Sequence, residues 1–330
     1  MDKKSVINIL RSCMVAIMAV IFCFTALEAY LRLKDPMNIR SKEICEEAET
    51  GIKKGPFRNA INVDDVKGEK FRILALGDSF TFGDGIQQDS KVWPMRLEGI
   101  LQRKNPGMDI KVINMGICGL TTVNEYELLV KVGQRLKPDI IIIQYLVNDI
   151  LPSGPNLMRV DEAWLRRSVR RNIFRDPKIH RFLSRNSFTY AFINSRFRAL
   201  QRKIRPGKKW DDLYREGTKE WASFKRALVG IRHWAYKNKV KPYLVLFPVF
   251  HSGKWSNDDH PHKDIYDKVG SLAHHIGLEV IDLWPVFIEK GENFRQWRIS
   301  DDNGHPNEDA HEIFASGIYN YLAEKGKKAR

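Results

Sequence analysis

Residues 139–147 read DIIIIQYLV, and this run constrains the fold more than any other stretch of the chain. Four consecutive isoleucines leave no polar alternation, so a strand built from them has both faces covered. That is the condition of a parallel sheet wrapped by helices on two sides. Neighbouring segments supply the rest of such a sheet. FRILALG (71–77) and DIKVINMG (109–116) are short apolar runs ending in glycine, and KPYLVLFPVF (241–250) and LEVIDLWP (278–285) follow later. Between them, KVWPMRLEGILQRK (91–104), VNEYELLVKVGQRLK (123–137), TKEWASFKRALVGIRHWAYKNK (218–239) and DIYDKVGSLAHHIG (264–277) carry apolar residues at helical spacing. A closing helix is predicted from about Asn307 to Glu324. Strands separated by helices imply right-handed crossovers. The expected fold is therefore α/β, a three-layer α/β/α domain on a five-stranded parallel sheet.

The amino terminus belongs to a different element. Lys3, Lys4 and Arg11 precede an uncharged run from Ser12 to Leu27, which as a helix spans about 24 Å. Started at Val6 with Arg11 snorkelling, the helix reaches about 33 Å, enough for a hydrocarbon core of about 30 Å. Small residues at cleavage spacing are poor, with Leu27-Glu28-Ala29 the nearest approach, so residues 1–33 read as an uncleaved signal anchor. Lys3 and Lys4 favour a cytoplasmic amino terminus. The expected location is a single-pass protein of a bacterial-type inner membrane with its main domain periplasmic, outside the cytoplasm. Residues 34–70 read as a polar stalk, and 71–330 as the α/β domain interrupted by a helical insertion at about 152–217.

Net charge is +15 over 330 residues, but it is concentrated. Leu165 to Lys209 holds fifteen Lys and Arg against the single acid Asp176, interleaved with Ile173, Phe174, Ile179, Phe182, Phe192 and Phe197. Three readings stand for this insertion: a solvated helical cap, a surface resting on anionic lipid, or a site for an acidic polymer. The anchor upstream and the interleaved aromatics favour lipid. Nucleic acid is not an expected partner of a domain outside the cytoplasm. Cys13 and Cys23 fall within the apolar run, whereas Cys45 and Cys118 are able to pair in an oxidising compartment.

Ligands of open α/β sheets sit beyond the carboxyl ends of the strands. Those ends carry Gly77-Asp78-Ser79, then Gly116 and Gly119, then Asn148-Asp149, and near the carboxyl terminus DDNGH with Asp302 and His305. Each motif alone also serves as a turn or a cap. All of them fall at one rim, and their chemistry fits one task. Ser79 needs a base, which His305 supplies, and Asp302 offers an acceptor for the imidazole. The N–H groups of Ser79 and Gly119 and the side-chain amide of Asn148 would form an oxyanion hole.

These blocks resemble those of the SGNH hydrolases, the GDSL esterase/lipase superfamily, over about residues 71–323. GDSFTFGDG resembles the block bearing the nucleophile, here Ser79. NMGICG resembles the block whose last glycine is an oxyanion donor, here Gly119. LVND resembles the block with the third donor, here Asn148, and DNGH the block Asp-x-x-His, here Asp302 and His305. Val92-Trp93-Pro94 matches a Trp-Pro pair common on the family's first helix. Leu146 departs from the glycine usual at that position, which bears on the pocket floor beside Asn148 and on the acyl group accepted. The resemblance implies an SGNH/flavodoxin-like fold and a serine esterase needing no cofactor or metal. The activity expected from the resemblance is hydrolysis, through an acyl-enzyme, of O-acetyl or other short-chain acyl esters of a small molecule, glycan or lipid. An O-acyltransferase on a glycan, and a non-catalytic tethered glycan-binding or scaffold protein, are the alternatives.

Three further features carry weaker expectations. His260-Pro261-His262 beside Asp258 and Asp259 has some metal-ligand character without supporting spacing. Asp149 reads as a residue that braces the active-site loops. Trp93, Trp255, Trp284 and Trp297 read as core, with a sugar platform as the rival.

Overall fold

The computed structural model describes residues 3–34, 58, 71–151, 173, 174, 176, 179, 182, 183, 186–204, 209–250, 255, 256, 260–291, 293–300 and 303–328. The expected stalk, apart from Lys34 and Arg58, lies outside these residues. In chain order the first elements are α1 (Lys3–Lys34), β1 (Phe71–Gly77), the single turn α2 (Ser79–Phe82), α3 (Trp93–Lys104), β2 (Ile110–Gly116), α4 (Thr122–Leu136) and β3 (Ile140–Tyr145). Then come α5 (Phe188–Ile204), α6 (Trp210–Leu213), α7 (Lys219–Lys237), β4 (Lys241–Leu246), α8 (Lys263–His275), β5 (Glu279–Asp282), α9 (Trp284–Lys290) and α10 (Glu308–Lys328). The chain divides into two compact units, Met1–Arg40 with Glu162–Gly207, and Ser41–Asp161 with Lys208–Arg330.

The second unit is built on one five-stranded sheet in the order β2-β1-β3-β4-β5. All four pairings are parallel. Alternate residues of each strand enter separate cores. Leu74, Leu76, Ile141 and Ile143 pack with Leu129 of α4, Phe224 and Ile231 of α7 and Val269 of α8. Ile73, Ala75, Ile142 and Val245 pack with Trp93 and Leu97 of α3, Phe287 of α9 and Phe314 of α10. Ile141, Ile142 and Ile143 are fully buried, so the isoleucine run does divide between two covered faces. Each such side chain contributes about 1.5–3 kcal/mol relative to exposure. A single Ile142→Asp change would leave a charge in the second core with no partner.

Strand order places the site. The chain passes from β1 outward to β2, then returns across β1 to β3. Connections leaving β1 and β3 therefore diverge, and a crevice opens between their carboxyl ends. Ser79 follows β1 and Asn148 follows β3.

The last two strands end earlier than in the sequence reading, the fourth at Leu246. The fifth strand stops at Asp282, and Leu283-Trp284-Pro285 starts α9 instead of prolonging β5. Proline at the first turn suits a helix start, since its missing N–H has no partner to lose there. Asp282 also accepts the Trp284 N–H at 2.9 Å.

In the first unit, Met14–Leu33 of α1 is a 20-residue stretch of mean hydropathy 2.1, none of it buried. By length and composition it is one candidate membrane span, and a signal sequence passes the same test.

Candidate active site

Local geometry begins with Asp78. Its Oδ1 accepts the Phe80 N–H at 2.9 Å and caps α2, which puts Ser79 at the first helical position. Its own N–H donates to Oε1 of buried Gln144 at 3.1 Å, and Thr81 Oγ1 donates to the same oxygen at 3.0 Å. Gly116 permits the turn to lie against β2, because a Cβ there would run into the backbone nitrogen of Phe82. The nucleophile turn is thus packed from two sides.

His305 arrives on the loop before α10. That loop is paired to residues 297–300: Ile299 N–H donates to the His305 carbonyl at 2.9 Å, and Asn307 N–H to that of Trp297 at 2.9 Å. His305 Nε2 stands 2.9 Å from Ser79 Oγ. Its Nδ1 stands 2.7 Å from Asn303 Oδ1, and its backbone N–H donates to the same atom at 3.1 Å. The backbone donor identifies that atom as the amide oxygen, so Nδ1 carries the hydrogen. Nε2 is then left with a lone pair facing the serine hydroxyl. This is the tautomer a general base requires.

A carboxylate also approaches Nε2, with Asp84 Oδ2 at 3.5 Å. Asp84 and Asn303 were both missed as site residues in the sequence. Asn303 occupies the open position of an Asp-x-x-His motif, and Asp84 sits in GDG, which reads as turn chemistry. Asp302 lies outside the described residues.

The donor side of the site comes from three loops. Asn148, in the 3-10 turn Val147–Ile150, donates from Nδ2 to Asp78 Oδ2 at 3.2 Å, which leaves its second amide hydrogen free to be aimed elsewhere. Gly119 has φ of +77°, a left-handed value that favours glycine. Ile117 N–H donates to the Gly77 carbonyl at 3.1 Å and ties that loop to the nucleophile strand. Among the described residues, the N–H groups of Ser79 and Gly119 find no acceptor. Cys118, next to Gly119, is disulfide-bonded, and its partner is not among the cysteines whose side chains are described.

Leu146 takes extended backbone, φ −128°, which any residue adopts. Its side chain is buried in the core with Ile142 and Phe80. Its N–H donates to Asp149 Oδ2 at 2.7 Å, so Asp149 does brace this loop. Beneath the site, Asp78, Asp149 and Glu125 are buried together, and burial pushes all three carboxyls above their ordinary range. Their mutual repulsion adds to the rise of Glu125 and Asp149. Both oxygens of Glu125 lack a hydrogen-bond partner among the described residues.

Trp93 and Trp284 are buried, so neither is a sugar platform. His260 stacks on Trp284 with centroids 4.0 Å apart. No group of three His, Cys, Asp or Glu that could hold a metal ion occurs among the described residues.

The arrangement can do acyl chemistry: a hydroxyl on a base in the right tautomer, beside unoccupied N–H donors at a strand-end crevice. Several solved structures are similar to the chain. An acetyl xylan esterase, AlAXEase, is 14% identical over 76% of this chain and 100% of its own, with a TM-score of 0.46. A variant of Axe2, an acetyl-xylooligosaccharide esterase from Geobacillus Stearmophilus, is 17% identical over 77% of this chain and 94% of its own, with a TM-score of 0.46. A two-domain esterase (CEX) active on acetylated mannans is 17% identical over 86% of this chain and 52% of its own, with a TM-score of 0.45. No curated protein matches the chain. The model of the GDSL-like lipase/acylhydrolase family matches residues 75–313, most of the chain, and with it the chain belongs to that family, as a serine esterase of the SGNH type.

Proposed function

We propose that the chain hydrolyses short-chain acyl esters through an acyl-enzyme on Ser79. The observation that carries this reading is the 2.9 Å contact from Ser79 Oγ to a His305 Nε2 whose tautomer is fixed from Nδ1. Ser79 Oγ attacks the ester carbonyl while its proton passes to Nε2. Negative charge gathers on the carbonyl oxygen, where the N–H groups of Ser79 and Gly119 and the amide of Asn148 act as donors. The bond to the alcohol breaks, and Nε2 returns the proton to the leaving oxygen. Water then gives a proton to Nε2 and attacks the acyl carbon, the bond to Ser79 Oγ breaks, and Nε2 passes the proton to that oxygen as the acid leaves. Asp302 is the acid the family motif offers to the imidazolium, and Asn303 is the acceptor found at Nδ1. Phe80 and Phe250 stack with centroids 6.2 Å apart, and the Phe80 ring lies 5.6 Å from that of His305. Such crowding favours a small acyl group.

In the same reading α1 is retained as a single-pass anchor and the hydrolase unit stands outside the cytoplasm. The unburied apolar window of α1 and the disulfide at Cys118 support this, since disulfides persist in oxidising compartments. The substrates within reach are then acylated glycans and lipids of the envelope.

The test is fluorophosphonate labelling and turnover of acetyl against longer acyl esters. Labelling at Ser79, loss of turnover in Ser79→Ala and preference for acetyl are expected. Retained turnover in Ser79→Ala would overturn the mechanism. Transfer to an added glycan in place of hydrolysis would assign the acyl group a sugar acceptor.

A further inference from the structure

The first unit contains a contact that the esterase chemistry does not use. The candidate span Met14–Leu33 holds two charged residues, Glu28 and Arg32, and both are committed to α5. Glu28 Oε1 accepts the Phe188 N–H at 3.0 Å. Its Oε2 accepts the Thr189 N–H at 2.8 Å and the Ser187 hydroxyl at 3.0 Å. Arg32 donates to Glu28 Oε1 at 2.9 Å and to the Asn186 carbonyl at 3.0 Å, with its guanidinium 5.2 Å from the Phe188 ring centroid. The first N–H groups of α5, otherwise orphaned, are thus capped by a carboxylate from another helix. An ionised pair in an apolar span is costly unless it has a structural task, and capping α5 is that task.

The clamp leaves α5 with a defined orientation on α1. Thr189, Tyr190 and Asn194 are buried, whereas Phe192, Ile193, Phe197 and Leu200 are exposed along one stripe. Within that stripe the Arg196 guanidinium lies 5.1 Å from the Phe192 ring centroid. Just before α5, Phe182 is also exposed. The clamp sits at the carboxyl end of Met14–Leu33, so α5 begins beside the end of the candidate span. The fifteen Lys and Arg between 165 and 209 are opposite in sign to phosphatidylglycerol and similar headgroups.

We infer that α5 is an interfacial helix, fixed by Glu28 and Arg32 where α1 leaves the bilayer, with Phe192, Ile193, Phe197 and Leu200 in the headgroup layer of anionic lipid. The net positive charge of the segment selects the lipid, and the rings of α5 supply the apolar burial. The inference rests on α1 spanning the membrane and is independent of turnover.

The experiment uses the full chain in vesicles of phosphatidylcholine alone or of equal parts phosphatidylcholine and phosphatidylglycerol. Trypsin cleavage at Arg196 is followed by peptide mass, and alkaline carbonate extraction is run in parallel. Retention in carbonate, with cleavage at Arg196 lost in the anionic vesicles alone, is the expected result. The double variant Phe197→Ser with Leu200→Ser should regain cleavage there while remaining carbonate-resistant. Retention with equal cleavage in both vesicles overturns the lipid contact and leaves the anchor standing. Extraction by carbonate overturns the anchor, and the lipid contact with it.

Discussion

The Asn148 amide donates to Asp78 Oδ2 at 3.2 Å, while Asp78 Oδ1 caps the turn that carries Ser79. One carboxyl group thereby sets the nucleophile turn and one candidate oxyanion donor in register. Asn148→Ala is expected to lower kcat about 10²- to 10³-fold, or about 3 kcal/mol, with KM little changed. Asp78→Asn retains an acceptor for Phe80 but turns an amide donor toward Asn148, so it should lose much of the same factor. The two losses should be strongly non-additive in a double-mutant cycle on kcat. Additive losses would show that Asp78 does not act through Asn148.

Asn303 is expected to hold the His305 tautomer. Asn303→Leu removes the acceptor at Nδ1 and should lower kcat about tenfold, the equivalent of one hydrogen bond of about 1.4 kcal/mol. Asn303→Asp keeps an acceptor and should recover most of that loss. Steady-state kinetics on the two variants, with unchanged thermal unfolding as the control, check this.

Glu125 is expected to cost stability as pH rises. Burial first, then the Asp78 charge, raises its folded-state value above the ordinary 4.5, so the folded protein retains a proton that the unfolded chain releases. Stability is greatest below 4.5 for this group and falls as pH climbs toward the folded value. Glu125→Gln keeps the shape without the titration. Its Tm advantage over the parent should widen as pH rises above 4.5. A constant difference would mean that the carboxyl is ionised when folded.

Reduction of the Cys118 disulfide should act on both stability and rate. Loss of a native cross-link costs about 2–4 kcal/mol. Here it also frees the residue next to Gly119, whose N–H is a candidate oxyanion donor. Thermal unfolding and kcat, each measured with and without reductant, should fall together. A Tm drop with kcat intact would separate the cross-link from the site.

Strands β1 to β3 were legible because buried parallel strands are written as apolar runs with nothing else able to satisfy them. Ser79, Gly119 and Asn148 stood out as candidates for a related reason, each following such a run, whereas His305 was marked only by the Asp-x-x-His spacing ahead of the last helix. The start of α9 was not, because Leu283 and Trp284 are as apolar as the strand before them and the proline alone marks the change. Asn303 escaped notice since its task depends on the fold of a loop, not on residue type. Leu146 was read as a pocket residue from its place in a motif, whereas its side chain belongs to the core. Glu28 entered the sequence reading only within Leu27-Glu28-Ala29, the nearest approach to a cleavage site, and proves to be a helix cap, a task that depends on a residue 161 positions away.

That distance has a consequence for biosynthesis. Glu28 leaves the ribosome long before Thr189, with β1, β2 and β3 emerging between them. Closing a flexible loop of 161 residues costs ~4.5 kcal/mol in chain entropy. Early collapse of those three strands shortens the loop and lowers the cost. The cap on α5 is therefore a late event in vectorial synthesis, closed only after the segment bearing β1, β2 and β3 has been made.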